Sequence, residues 1–326
     1  MEFTPSTSPG GANHVFIFPI RDIRKFVALV TKSLIGTLIA TLVSVNHPQG
    51  KGILIWQLRG CAGGNSLDLA GRAKAAGFTW VAIKVQDGVR IYQEERLAEA
   101  INALKGIGIN VWGWGYLYGA DWRRISQARA EAQITIQAVQ GYQLAGFLMD
   151  AENPYKRNGS RSWATVYMST LRTALPDTPL GLCSYRYPTY HPELPWFEFL
   201  SRCDFHAPQV YWQDAHNPGE QLRRSVKELS NLRDLPITPV GAAYSEHGWT
   251  PTDAELKEFA DTAKELQNPG IAWWSWQHAE IEASRWATIS NIQWGTQPEP
   301  PNPPPALTLE ERVARLEKVA QDHGWM

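Results

Sequence analysis

Residues 141–154 read GYQLAGFLMDAENP, from Gly141 to Pro154. The apolar run Phe147-Leu148-Met149 ends in two carboxylates, Asp150 and Glu152, and Asn153-Pro154 then stops any regular element. This pattern predicts a buried strand opening into a loop. Strand side chains alternate between faces, so residues two apart point the same way, with Cα atoms roughly 6.6 Å apart. Asp150 and Glu152 are therefore expected to share one face at the mouth of an apolar element. Two acids so placed do not both ionise freely, and the more desolvated one has its pKa raised. A fold obtains a general acid beside a charged helper in this way. A salt-bridged strand end is the structural alternative.

Working outward, short apolar runs alternate with helical patterns from Gly52 onward. Strands are predicted at 52–57, 78–85, 110–118, the 141–154 stretch, 178–184, 206–212, 237–243 and 271–276. Helices are predicted at 66–76 with Ser66 as cap, and at 94–105, 126–145, 163–174, 220–232 and 252–266. Eight strands separated mostly by helices over 51–295 predict an α/β fold, a (β/α)8 TIM barrel. Active sites in such barrels lie at the C-terminal ends of the strands, where Asp150 and Glu152 fall.

The other strand ends supply the candidate binding surface: Gln57, Lys84 and Asp87, Trp114 and Tyr116, Gln209, Tyr211 and Gln213, and Trp274, Trp276 and Gln277. Amides and aromatic rings converging on two acids suit a hydroxyl-rich ligand with apolar faces, a carbohydrate. For any single aromatic, a place in the core explains it as well.

Composition narrows the classes. Hydrophobic residues at 44% and charged residues at 19% describe a folded chain with a large core. A net charge of −1 leaves no electrostatic footprint for nucleic acid. Three cysteines are too few for a disulfide framework, although a Cys183–Cys203 pair is compatible with an oxidising compartment. The eight histidines show no metal-ligand spacing, and no phosphate loop or serine nucleophile elbow is present, so neither metal nor cofactor is expected.

The flanks differ from the middle. Residues 1–14 are rich in Ser, Thr, Pro and Gly, and Arg21, Arg24 and Lys25 precede a largely apolar run at 26–45. That is the pattern of a signal sequence or membrane anchor, which predicts an extracellular or membrane-anchored protein. Lys32 and several Ser and Thr inside the run leave open a membrane-surface helix or one packed on the barrel. After the barrel, 296–306 is a Pro-rich linker, and in 307–326 Leu309, Val313, Leu316 and Ala320 repeat at heptad spacing. This short helix suits either weak oligomerisation or docking on another surface.

The order of strands and the string from Gly146 to Glu152 resemble the lysozyme-like muramidases of glycoside hydrolase family 25. They resemble more distantly the chitinase-like family 18, with its D-G-x-D-x-D-x-E strand. Residues 78–88 (FTWVAIKVQDG) and Trp276-Gln277-His278 are similar to strands two and eight of family 25. Gln209-Val210-Tyr211 resembles the M-x-Y of family 18, and 270–274 its G-x-x-x-W. The resemblance implies a glycosidase acting on β-linked N-acetylhexosamine polymers, either peptidoglycan or chitin-like. It casts Glu152 as general acid, Asp150 as the group orienting the substrate N-acetyl substituent, Tyr211 as a hydrogen-bond partner of that substituent, and Trp274 or Trp276 as the floor of the sugar subsite. The chain departs from both patterns: strand one ends in Ile55-Trp56-Gln57 without an Asp, and Ala145 and Leu148 replace two acids of the chitinase string. Asp87 and Asp214 are candidates to supply the missing charge. The rival class is a carbohydrate-binding barrel without catalysis.

Overall fold

In the computed structural model, which describes residues 46–121, 123 and 125–295, eight parallel strands close on themselves. The strands are β1 (Gly50–Ile55), β2 (Trp80–Asp87), the short β3 (Arg90–Ile91), β4 (Asn110–Leu117), β5 (Phe147–Ala151), β6 (Leu180–Tyr185), β7 (Phe205–Val210), β8 (Val240–Ala242) and β9 (Gly270–Trp274). β1 pairs with both β2 and β9, which closes the ring, while β3 only folds back antiparallel on β2. The helices are α1 (Ser66–Ala75), α2 (Glu94–Gly106), α3 (Ala128–Tyr142), α4 (Ser160–Ala174), α5 (Trp196–Leu200), α6 (Pro218–Leu232), α7 (Asp253–Glu265), α8 (Trp276–Glu280) and α9 (Ala283–Asn291). This is the expected (β/α)8 barrel, with seven of the eight barrel strands starting within three residues of their predicted starts and the fourth, Phe147–Ala151, lying inside the 141–154 stretch. The apolar segment 26–45, the Pro-rich linker and the heptad segment lie outside the described residues.

The interior is filled by a repeated small–large pairing across neighbouring strands. Gly52 lies opposite Trp80 and Gly181 opposite Phe205 in the strand register. A Cβ added at Gly52 would sit 2.1 Å from the Trp80 ring, at Gly146 2.1 Å from Trp112, and at Gly181 2.2 Å from Phe205. Each large ring therefore packs closely against bare glycine backbone of the neighbouring strand segment. Trp112 meets Trp80 and Phe205 edge-on, at 6.4 and 5.6 Å between ring centroids. Leu54, Ala82, Leu148, Ala207, Val240 and Ala272 complete this inner cluster, so the lower barrel is a packed core.

Local details correct several expectations. The cap of α1 is Asn65, whose side chain accepts from the backbone N–H of Leu67 and Asp68, and Ser66 is the first helical residue. The Thr252 cap of α7 is a full capping box with Glu255. All three cysteines are free. Cys183 points into the barrel, whereas Cys203 packs in the outer layer between barrel and helices, so the strand wall separates the two cysteines whose pairing the sequence left open.

The first strand is held by the far end of the chain. Lys51 is 2% exposed, and its ammonium donates to the carbonyls of Ile289, Ser290 and Ile292 at 2.9, 2.8 and 2.7 Å. These carbonyls lie at and just past the C-terminal end of α9, where the helix ladder runs out.

Candidate active site

Inward parity places the acids. In β5, Leu148 and Asp150 point into the barrel, and Glu152 follows just past the strand end. Asp150 is 8% exposed and Glu152 is half-buried. The two carboxyls hydrogen-bond to each other. Gln209 on β7 bridges them, its Nε2 donating to Asp150 Oδ1 at 3.1 Å and to Glu152 Oε1 at 2.9 Å. Burial first, then the Glu152 charge and the hydrogen bond with Glu152, hold the Asp150 carboxyl well above the usual carboxylate range. Lys84 and Gln209 oppose that rise. Asp150 therefore holds its proton more tightly than an isolated carboxyl does.

A cavity of about 130 Å³ stands over this pair. It is lined by Leu54, Trp114, Cys183, Gln209, Tyr211 and Trp274 together with the acids. Trp114 and Trp274 meet edge-on at 5.2 Å, and the Trp114 indole donates to the Ile55 carbonyl at 2.9 Å, which fixes its ring. Tyr211 meets Tyr244 edge-on at 5.5 Å. Burial, then the neighbouring Cys183 and Asp150, push the Tyr211 phenol up, so it stays a neutral hydroxyl able to donate. Tyr116 and Tyr185 border the pair from β4 and β6, since each phenol is raised by burial and then by the Glu152 charge.

The structure thus brings together Asp150, Glu152, Trp114, Gln209, Tyr211 and Trp274, with Tyr116 at the border. Lys84 is buried below them, its ammonium 2.8 Å from Asp87 Oδ1 and 5.3 Å from the Trp114 ring centroid. Asp87 is occupied by this ion pair and is not part of the cavity lining. Four expected contacts lie elsewhere. Trp276 is fully buried in the outer layer, 4.8 Å from Trp286 and with its indole donating to Glu280, because the chain turns outward into α8 after Trp274. Gln277 accepts from the Trp56 backbone N–H, and Gln57 precedes a short turn whose Cys61 thiol returns to its carbonyl. Gln213 is half-buried in the loop after β7, away from the lining, and Asp214 beside it is exposed.

Leu54, Cys183 and Tyr185 are site residues that the sequence reading did not single out. For Cys183 and Tyr185 the signal existed, because they share parity with the inward Gly181 on β6.

No family model matches the chain, and no curated protein matches its sequence. Solved structures do match its fold. The chain is similar to a GH18 chitinase from Pseudoalteromonas aurantia, with 13% identity, a TM-score of 0.54, and coverage of 74% of this chain and 100% of that one. It is similar to the PgaB (BpsB) glycoside hydrolase domain from Bordetella bronchiseptica, with 11% identity, a TM-score of 0.56, and coverage of 74% and 98%. An endo-1,4-beta-D-mannanase from Thermotoga petrophila aligns at 11% identity and a TM-score of 0.54 over 70% of this chain and 88% of its own. At these identities the likeness shows the barrel fold shared with chitinase-type and other glycoside hydrolase domains. The muramidase family that the sequence resembles is not among these three.

Proposed function

We propose that this protein is a glycosidase that cleaves β-linked N-acetylhexosamine polymers, chitin-like or the glycan strands of peptidoglycan, by substrate-assisted hydrolysis. The observation that carries the reading is the Asp150–Glu152 pair, joined through Gln209 and capped by Trp114, Tyr211 and Trp274. Glide of a sugar over the Trp274 ring sets its apolar face against an aromatic surface. The substrate amide N–H donates to Asp150, and the Tyr211 hydroxyl donates to the acetamido carbonyl. A hydrogen bond donated to Asp150 favours its anionic form, which moves the shared proton onto Glu152. Glu152 then protonates the glycosidic oxygen as the acetamido oxygen attacks the anomeric carbon, and water opens the resulting ring with Glu152 as base. The apolar segment 26–45, if exported as its sequence suggests, puts this activity at or beyond the membrane.

Reducing-end release from chitin oligomers and from purified peptidoglycan tests the reading. Cleavage of either polymer is the expected result. Binding without cleavage would replace the glycosidase with a carbohydrate-binding barrel.

A pH prediction follows from Lys84. Its ammonium favours ionised Asp150, so removing it raises the affinity of Asp150 for its proton. Lys84→Met is expected to move the acidic limb of the pH–kcat/KM profile, which reports ionisation of Asp150, to higher pH. An unmoved profile would detach Lys84 from the pair.

A further inference from the structure

One wall of the site carries charge that the two-acid chemistry leaves unused. Lys156 ends the turn Asn153–Lys156 that follows β5, and Arg186 and His191 lie in the segment after β6. The Lys156 ammonium is 2.7 Å from His191 Nδ1 and 4.2 Å from the Tyr185 ring centroid, and the Tyr185 and His191 rings stack at 3.6 Å. An ammonium has no lone pair, so Nδ1 accepts and the imidazole is neutral. Burial and then Lys156 lower the His191 pKa in the same direction. Arg186 lies over the Tyr187 ring at 5.0 Å, and its Nε is buried without a hydrogen-bond partner. Among the described residues, neither Lys156 nor Arg186 is in an ion pair.

This cluster borders the acids. The Glu152 charge acts on both Tyr185 and His191. Arg186 acts on Tyr244, the ring set edge-on to Tyr211, and is opposed there by the exposed acids Glu246 and Asp214. Besides Glu152, the acid that bears on His191 is Glu193, and it is exposed. Two half-buried cations outside any ion pair are costly beside a site meant for neutral sugars alone. An anionic group on the ligand removes that cost. The planar fork of Arg186 suits a carboxylate, with Lys156 as a point charge beside it.

We infer that Lys156, Arg186 and His191 form an anion subsite, and that the substrate is an N-acetylhexosamine polymer bearing a carboxylate on a sugar next to the cleaved bond. The cleavage part of this statement rests on the glycosidase reading; the binding part does not. The carboxylate can come from an acidic ether substituent on the hexosamine or from an alternating hexuronic acid.

The test uses the full-length protein with three tetrasaccharides: chitotetraose, the alternating N-acetylglucosamine–N-acetylmuramic acid oligomer, and a hyaluronan oligomer. Binding is measured by calorimetry on Glu152→Gln protein, and cleavage on the unsubstituted protein. At least one carboxylate-bearing oligomer is expected to bind about tenfold or more tightly than chitotetraose, an advantage that shrinks as salt rises. Which of the two binds better identifies the source of the carboxylate. Adding Lys156→Met and Arg186→Met is expected to bring the ratio of anionic to neutral affinity to about one, with thermal unfolding confirming an intact fold. Equal affinities for neutral and anionic oligomers, or an advantage that survives both substitutions, would overturn the inference. Chitotetraose cleavage without that preference leaves the glycosidase standing and removes the anion subsite. Preferential binding abolished by the substitutions, with no oligomer cleaved, keeps the subsite and removes the glycosidase.

Discussion

Glu152→Gln is expected to lower kcat on N-acetylhexosamine oligomers by about 10²–10⁴-fold, the range associated with losing a general acid. The substitution is conservative in shape. Gln209 Nε2 now donates to Glu152 Oε1, and a glutamine carbonyl can accept the same hydrogen bond, so the bridge between β5 and β7 survives. KM for the oligomer is therefore expected to change little, because the loss falls on protonation of the leaving oxygen. Purified full-length protein and the variant, assayed side by side for reducing-end release with affinity checked separately, decide the matter. A variant that keeps more than a third of the parent rate would exclude Glu152 as the acid. Loss of binding together with rate would point instead to a disturbed cavity.

The largest effect on stability is expected at Glu131, far from the acids in function but close to them in support. Its side chain on α3 is fully buried, and its two oxygens accept from the backbone N–H of Tyr118 at 2.8 Å and of Gly119 at 3.0 Å. It thereby holds the loop that continues β4 beyond Tyr116. Around it, Gln86 donates to the Glu131 carbonyl at 2.8 Å, and Thr135 joins Gln86 to the Tyr167 hydroxyl at 2.6 and 2.7 Å. Glu131→Ala leaves these N–H groups without partners and opens a void, which together cost about 3 kcal/mol. For a domain of this size that is roughly 6–12 °C in Tm by calorimetry. Glu131→Gln retains one acceptor and is expected to cost less. The pH dependence adds a sign. Burial raises the Glu131 carboxyl above its ordinary value of 4.5. The folded chain therefore binds this proton more tightly than the unfolded one. Its stabilising contribution is full below pH 4.5 and is lost as pH rises through the folded value, a slope that the Gln variant lacks. Identical melting of parent and Ala variant would show that the loop is held by other contacts.

What could be read from the sequence was what local physics determines. The Asp150–Glu152 face needed only strand alternation, and the barrel needed only the count and spacing of apolar runs. The failures arose where the chain leaves its regular period. Strand alternation alone would place Gln86 inward with Lys84, yet a register shift between the two turns its amide outward onto α3. Trp276 continues the parity of Trp274, but the strand has already ended and α8 carries the ring into the outer layer. Lys84 and Asp87 stood as two separate ligand contacts, whereas the same irregularity brings them together as an ion pair. The glycine–aromatic pairs inside the barrel depend on register between strands, which no single strand encodes.

The hold of Lys51 on α9 bears on how the chain reaches this fold during synthesis. β1 is the first barrel strand to be translated, yet its lysine finds its acceptors 238 to 241 residues later. Its pairing with β9 is equally late in the chain. A nascent chain released before about residue 270 is a sheet with two open edges, and one released before about residue 290 still keeps an ammonium with no carbonyls to receive it. The ring therefore seals only when the ribosome has delivered β9, and until then every shorter product is an unclosed sheet exposed to pairing with its neighbours, while the Lys51 hold waits for α9.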